Sequence, residues 1–340
     1  MVRTSIRRLP RVRVGWVAVA VVAMMSLVVG YPGFSRSDQV DTAAAATAGD
    51  PVLAAAGDIA CAPGRAPGAT SCQYPATGDV LSLIAPSLVL PLGDTQYEDS
   101  TATEYAGAYD LTKWGTNAGS GGYRAASRPV PGNHEYHTAG AAGYFDYFGG
   151  NAGDPSKGYY SYDVYGPDNS FRWHLIALNS ECSNVGGCGS GSTQEKWLKA
   201  DLAANPGVCT MAYWHRPRFS SSATSPSSTT YTAFWNDLYA AGADIVLNGH
   251  AHDYERFDPQ TGSGAPDPDK GVREFVVGTG GDDFHSLGSG IANSVVRQNT
   301  SFGVLKMTLH NGSYSWQFVP ANNYSFTDSG SANCHTSSAK

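Results

Sequence analysis

Seven side chains suited to a hard or borderline metal cation stand in five short motifs. Asp58 lies in GDIAC (57–61), Asp94 and Tyr97 in GDTQY (93–97), and Asn133 in GNHE (132–135). His215 lies in YWHRP (213–217), and His250 and His252 in GHAH (249–252). Carboxylate, amide and phenol oxygens mixed with imidazole nitrogens suit iron, manganese or zinc. A soft site would select copper, and an all-oxygen shell calcium or magnesium. Two metals held side by side need a shared carboxylate, and such a pair clamps the attacking and leaving oxygens of a displacement. Glycine before Asp, Asn or His permits a sharp turn that returns the side chain over a sheet edge. His250 and His252 fall on one side of an extended segment, as ligands to adjacent metals would.

These motifs follow apolar runs or a proline turn, which identifies the elements that must position them. VLAAA (52–56) and SLVLPL (87–92) read as strands running into GD, and 209–214 and 243–248 as strands running into the histidine motifs. Segments 159–166 and 171–179 read as an adjacent strand pair. Helical spacing predicts helices over 103–114, over 193–205 with Thr193 as N-cap, and over 231–242 with Gly242 as the stop. Three late strands fall within 271–281, 301–311 and 313–320. His174 and His310 lie within strands, the Ser-rich stretch 220–229 reads as a loop, and Tyr254-Glu255-Arg256 as a loop braced by an ion pair. Strands separated by helices early and joined by hairpins late predict an α/β fold of mixed sheets covered by helices.

The chain has 340 residues, and its 41% hydrophobic content supports a large core. With 15% charged residues, 40 glycines and 19 prolines, neither a coiled coil nor charge-driven disorder fits. The net charge is -7. Six arginines precede residue 49, against Asp38 and Asp41, so residues 49–340 carry 16 basic and 27 acidic side chains. A body this acidic excludes general binding of nucleic acid or anionic membrane. Residues 1–48 place five arginines before an uncharged apolar run (14–29) and an Ala-rich stretch, AAAATAG, at 43–49. This is an export signal, or a single membrane anchor with a linker; Arg7-Arg8 loosely resembles a twin-arginine signal. The membrane is a partner only if the segment stays uncleaved, and either way 49–340 forms one secreted or extracytoplasmic domain. Six cysteines in an exported chain imply disulfides. Proximity pairs Cys61 with Cys72 and Cys182 with Cys188, leaving Cys209 with Cys334; buried free thiols are the alternative.

The five motifs, in order along 52–257, resemble those of calcineurin-like metallophosphoesterases, and most closely the purple acid phosphatase branch. That pattern is GD, GDxxY, GNH(D/E), an isolated His after a strand, and GHxH; GTGG at 278–281 is also similar. The resemblance implies a four-layer α/β fold, with two stacked mixed β-sheets flanked by helices and metals at one sheet edge. It implies a first metal on Asp58, Asp94, Tyr97 and His252, and a second on Asp94, Asn133, His215 and His250, with Asp94 bridging. Most relatives carry Asp-x-His in the first motif, but here Asp58 is followed by Ile59 and Ala60. Ala60 has no donor, and Tyr97 is expected to fill that position as a phenolate. A phenol with an ordinary pKa of about 10 ionises beside a strongly charged ion, which favours Fe(III) at the first site. The second site takes divalent Fe, Zn or Mn.

By the same resemblance, His134 lies over the metals and contacts phosphate or protonates the leaving group; a hydrogen-bonded structural histidine is the alternative. Arg216 reaches phosphate oxygens with its planar fork, or pairs with a carboxylate. Glu135 and Asp253 are expected to orient neighbouring histidines or the loop. His137, Arg218, Asp283 and His285 are expected at the pocket mouth. The implied activity is hydrolysis of a small phosphate ester, first a monoester, by metal-bound hydroxide attacking phosphorus in line. A phosphodiesterase on the same site and a non-catalytic secreted phosphate-ester-binding protein stay open. A zinc peptide hydrolase lacks its HExxH motif here.

Overall fold

The computed structural model describes Met1 and residues 49–335. The arginine-rich and apolar segment read as a signal or anchor lies outside the described residues. Along the chain the elements are β1 (Val52–Ala56), α1 (Tyr74–Ile84), β2 (Leu88–Pro91), α2 (Ala102–Gly107), α3 (Ala142–Phe148), β3 (Tyr160–Tyr165), β4 (Arg172–Ala177) and α4 (Thr193–Ala204). They continue with β5 (Cys209–Tyr213), α5 (Thr232–Ala241), β6 (Ile245–Asn248), β7 (Tyr254–Phe257), β8 (Arg273–Val277), β9 (Ser294–Gln298), β10 (Gly303–His310), β11 (Ser313–Pro320) and β12 (Ser329–Asn333).

Two mixed sheets result. The first has the order β12-β11-β10-β1-β2, with only β1 and β2 parallel; the second has the order β3-β4-β5-β6-β8-β7-β9, with a parallel centre. Continuous apolar runs form the central strands because both of their faces are covered. Trp173, Leu175 and Ala177 of β4 join one core with Met211, Leu247, Phe275 and the first sheet's Leu53, Leu305 and Phe318. The alternate residues Ile176, Ala212, Val246 and Val276 join a second core with Leu198, Phe234, Trp235 and Leu238 of α4 and α5. The expected two-sheet α/β architecture flanked by helices is therefore present. Three disulfides join Cys61–Cys72, Cys182–Cys188 and Cys209–Cys334, as their spacing predicted, and no cysteine is free.

Several local expectations need correction. The helix expected over 103–114 stops at Gly107, because Ala108 is non-helical and the next residue, Tyr109, donates its N–H to the buried Gln96 side chain at 3.0 Å. Ser192, not Thr193, caps α4, accepting from the Glu195 N–H. Tyr254-Glu255-Arg256 is strand β7 rather than a loop; its arginine pairs with the distant Asp328 at 2.7 Å. The expected stop at Gly242 is present, with φ of 77°.

Candidate metal centre

The motifs converge where carboxyl ends of parallel strands from both sheets meet. Asp58 follows β1, Asp94 and Tyr97 follow β2, His215 follows β5, and His250 and His252 follow β6. Hydrogen bonds lock the ends together: Gly57 N–H donates to Val277 O at 2.9 Å across the sheets, and Gly249 N–H to His215 O at 2.9 Å. Asp58, Asp94 and His250 themselves adopt left-handed backbone, with φ of 60°, 46° and 67°. Such conformations are costly for residues with a side chain and cluster at functional sites. The glycine before each has a different task from the expected turn in two cases. A Cβ on Gly249 would sit 2.7 Å from Leu92 O, and one on Gly57 would sit 3.0 Å from the same oxygen, so close strand-end contact demands glycine. Gly93 does take a left-handed turn, at φ 84°.

All seven expected donors come together. Tyr97 Oη lies 3.1 Å from Asp58 Oδ1, 3.4 Å from Asp94 Oδ2 and 3.0 Å from His252 Nε2. Asp94 Oδ2 lies 3.1 Å from His215 Nε2, which is 3.3 Å from Asn133 Oδ1 and 3.2 Å from His250 Nδ1. As groups of three, donors of Asp94, His215 and His250 lie within 4.8 Å of one another, and so do those of His252, Asp283 and His285. The first group holds three of the four residues expected at the second site, but neither expected set of four is reproduced, and Asp58, Asp94 and His252 do not form a group. The second draws in Asp283 and His285, which were expected only at the mouth. Nitrogen and oxygen donors at these separations give the site the capacity to bind metal.

Residues 52–254 match the family model of the calcineurin-like phosphoesterases. The chain belongs to the calcineurin-like phosphoesterase family. By that membership it is classed with metal-dependent, phosphatase-like enzymes. Purple acid phosphatase 15 of Arabidopsis thaliana is 26% identical over 223 residues, covering 54% of this chain and 38% of that protein. The structure of purple acid phosphatase PPD1 from yellow lupin (Lupinus luteus) seeds matches with a TM-score of 0.67 at 16% identity. That match covers 85% of this chain and 54% of the lupin protein, so this phosphoesterase spans roughly half or less of either plant relative. GAP50, the anchor in the inner membrane complex of Plasmodium, matches with a TM-score of 0.61 at 12% identity, covering 84% of this chain and 89% of that one. PhoD matches with a TM-score of 0.54 at 12% identity, over 87% and 72% of the two chains. These structural likenesses establish a shared fold.

In this calcineurin-like phosphoesterase the donor cluster is strongly polarised. Burial works against charge on His215, but the adjacent Asp94 carboxylate outweighs it and raises the imidazole to about 9. Burial, reinforced by the charges of His215 and Arg216, pushes His250 down to about 3. Tyr97 is pushed well above its ordinary value by burial first, then by the charges of Asp58 and Asp94. Its ionisation requires a compensating cation. Two of the rings are also oriented from behind: His215 Nδ1 donates to Leu92 O at 2.8 Å, and His252 Nδ1 pairs with Asp283 at 2.7 Å. Such partners fix which nitrogen is presented to a metal.

Beside the donors is a cavity of about 280 Å³, lined by Asp94, Tyr97, Asn133, His134, His250 and His252 among others. His134 stacks obliquely on Tyr97, its ring centroid 4.3 Å away, and its Nδ1 donates to Glu98 O at 2.7 Å. Arg216 pairs with Glu181 at 2.8 Å, the carboxylate pairing that was one of its two expectations, and donates to His250 Nε2 at 3.0 Å. Glu135 is buried and binds the motif loops through their N–H groups, so it orients the loop as expected. Asp253 does not orient a histidine: both its oxygens are buried without a hydrogen bond among the described residues. Burial, aided by Glu255, pushes its carboxyl up to about 8. Asp283 and His285 do line the cavity. Arg218 does not, being buried with its guanidinium donating to Gly262 O at 2.8 Å; His137 sits outside, exposed and against Asp99. Arg65 lines the cavity without having been anticipated. Its only sequence signal is its place between two disulfide-bonded cysteines just after the first motif.

Proposed function

We propose that this phosphoesterase is an exported phosphomonoesterase with a dinuclear metal site. Asp58, Asp94, Tyr97 and His252 would hold a ferric ion, and Asp94, Asn133, His215 and His250 a divalent iron, zinc or manganese. The observation that carries this reading is the position of Asp94 Oδ2, 3.4 Å from Tyr97 Oη on one side and 3.1 Å from His215 Nε2 on the other. A single carboxylate oxygen between two donor groups is what a bridged pair needs. Fe(III) at the first site is supported by the buried Tyr97 phenol, whose ionisation needs a strongly charged partner, and by Ala60, which offers no donor. When bound, the metals would generate a nucleophile from water near neutral pH and neutralise charge on the phosphoryl oxygens.

The chain's own residues supply the rest. His134 lines the cavity next to Asn133, with Nδ1 tied to Glu98 O, which leaves Nε2 to exchange a proton with the leaving oxygen. Arg216, held by Glu181, adds fixed positive charge beside His250. Export is supported by three disulfides, which persist in oxidising compartments. The test is metal analysis and an absorption spectrum of the purified protein, with turnover of phenyl phosphate and bis-phenyl phosphate. Iron with a visible phenolate charge-transfer band, lost in Tyr97→Phe, and faster monoester turnover are expected. Iron-loaded active protein without the band would remove Tyr97 from the metal. Faster diester turnover would make the enzyme a phosphodiesterase, and turnover of neither would leave a binding protein.

A further inference from the structure

One wall of the cavity has no task in the proposed reaction. Arg65 is the only arginine or lysine among the described residues that line it. It stands in segment 61–72, which is closed by a disulfide and fastened to the loop after β8. The N–H groups of Cys72 and Gln73 donate to the Asp282 and Gly281 carbonyls at 2.6 and 2.7 Å. The Arg65 side chain is 42% exposed, and its polar contact among the described residues is Nη1 to Asp282 Oδ1 at 3.4 Å. Its Nε and Nη2 remain for a ligand.

His285 lines the same cavity from the loop after β8. Its ring stacks on His252 at 3.8 Å between centroids and 4° between planes. Its Nδ1 lies 3.2 Å from the backbone nitrogen of His252. A backbone N–H can only donate, so Nδ1 accepts and the ring hydrogen sits on Nε2. The backbone holds this orientation: His285 N–H donates to His252 O at 3.0 Å, and His285 O accepts from Asn299 at 2.7 Å. The wall thus offers a guanidinium and one oriented imidazole N–H.

We propose that Arg65 and the Nε2–H of His285 bind a second phosphate group of the substrate, beyond the one undergoing hydrolysis. The preferred substrates would then be pyrophosphate-type or doubly phosphorylated compounds. The idea rests on the phosphoesterase reading for the scissile phosphate. A guanidinium edge and an imidazole together present donors to the terminal oxygens of a phosphate. Of the cavity's outer carboxylates, Asp283 gives Oδ1 to His252 at 2.7 Å, the 6% exposed Asp282 turns Oδ1 to Arg65, and the exposed Glu98 lies 4.0 Å from His134. A neutral leaving group needs no such charge, and a cationic one would be repelled by Arg65.

The test uses the metal-loaded, disulfide-intact protein, with inorganic orthophosphate and methylenediphosphonate, whose P–C–P bridge resists hydrolysis and which serves as the pyrophosphate probe throughout, by calorimetry and as inhibitors of phenyl phosphate turnover. Wild type should bind pyrophosphate more tightly than orthophosphate. In Arg65→Ala that preference should shrink about 10- to 100-fold, the worth of charge-assisted hydrogen bonds. Arg65→Lys should recover part of it, and His285→Gln, which keeps an N–H donor, should lose less than His285→Ala. Equal losses for both probes would assign Arg65 to the scissile phosphate and overturn the proposal, as would a wild type with no preference. Pyrophosphate preference that depends on Arg65 in a protein with no turnover would sustain the subsite while overturning the hydrolase reading.

Discussion

Replacing Glu135 by glutamine should unfold this protein far more easily, although the change removes a charge and little volume. Glu135 is fully buried between the GDTQY and GNHE motifs. Its Oε2 accepts from Asp94 N–H at 2.9 Å and Gly132 N–H at 2.6 Å; its Oε1 accepts from Thr95 N–H at 2.7 Å and Thr95 Oγ1 at 2.8 Å. Oε2 thus accepts twice, and Oε1 also lies 3.4 Å from Ser100 Oγ, so each oxygen serves at least two donors. A glutamine amide places an NH2 group where one of them stood, pointing hydrogens at donors. With NH2 at the Oε2 position the Asp94 and Gly132 N–H groups lose their acceptor; at the Oε1 position the Thr95 N–H does, while the Thr95 hydroxyl turns to accept from the amide and donate to Tyr105 Oη 2.6 Å away. At about 1–3 kcal/mol for each buried unsatisfied donor, the expected loss is about 1–6 kcal/mol. That is a large share of the roughly 5–15 kcal/mol that stabilises a typical domain. Glu135→Asp keeps both acceptors but shortens their reach, so it should cost less than glutamine. The assay is urea unfolding of metal-free wild type, Glu135→Gln and Glu135→Asp at pH 7. A glutamine variant within about 0.5 kcal/mol of wild type, the ordinary range for a neutral surface change, would refute the double-acceptor argument. Metal affinity should fall with stability, because Glu135 sets the backbone that carries Asp94 and Asn133.

Chemistry was more legible in the sequence than the scaffold that refines it. The donors other than Asn133, which follows a proline turn, were identifiable because each follows a run apolar enough to be a strand, and strand ends converge at a sheet edge. The paired cysteines were identifiable because two of the pairs are near neighbours. Elements without a local hydrophobic signature escaped. Strand β12, Ser329–Asn333, has the sequence SGSAN and exists because it pairs with β11 and is tied at Cys334 to Cys209. Strand β7 looked like a charged loop because its partners, Asp328 for Arg256 and Ser221 for Glu255, lie far away in sequence. Arg218 looked like a mouth residue beside YWHRP, yet its backbone N–H is tied at 3.1 Å to the buried Glu274 of β8. The left-handed backbone of Asp58, Asp94 and His250 contradicts local preference, which would put that conformation on glycine. Such conflicts between local preference and tertiary placement are expected where a site is held under strain.

Three further perturbations follow from the same geometry. His134→Ala should keep both metals, since His134 is outside the proposed ligand sets, while kcat for phenyl phosphate falls about 10²- to 10⁴-fold; loss of metal would instead make it a ligand. The Cys209–Cys334 bridge closes a loop with a sequence separation of 125 residues, so Cys209→Ser with Cys334→Ser should lower stability by up to about 5 kcal/mol. A loss under about 1 kcal/mol in urea unfolding would show that the unbridged chain is already constrained. His174 provides the pH dependence. It is fully buried on β4, with Nδ1 2.8 Å from Asp163 and Nε2 2.7 Å from Asp201; Arg172 also faces Asp163, and Ser161 donates to Asp201. Burial opposes a charge on the ring, but the two carboxylates outweigh it and raise its pKa. A histidine raised on folding stabilises most below its unfolded value of about 6.5, and that contribution is lost as pH rises through the folded value. Asp163 works in the opposite sense: burial disfavours its charge, but His174 and Arg172 hold its pKa below the usual range. Its contribution is present above an unfolded value of about 3.9 and is lost as pH falls through the folded one. The cluster should therefore stabilise most between about pH 4 and pH 6.5. His174→Gln removes the charged centre of that cluster and should cost about 3 kcal/mol at pH 5.5, as breaking a buried ion pair does. The gap between wild type and variant should narrow by pH 9. A gap that widens from pH 5.5 to pH 9 would mean that folding lowers the ring's pKa, and a constant gap that folding leaves it unshifted; either result would refute the argument.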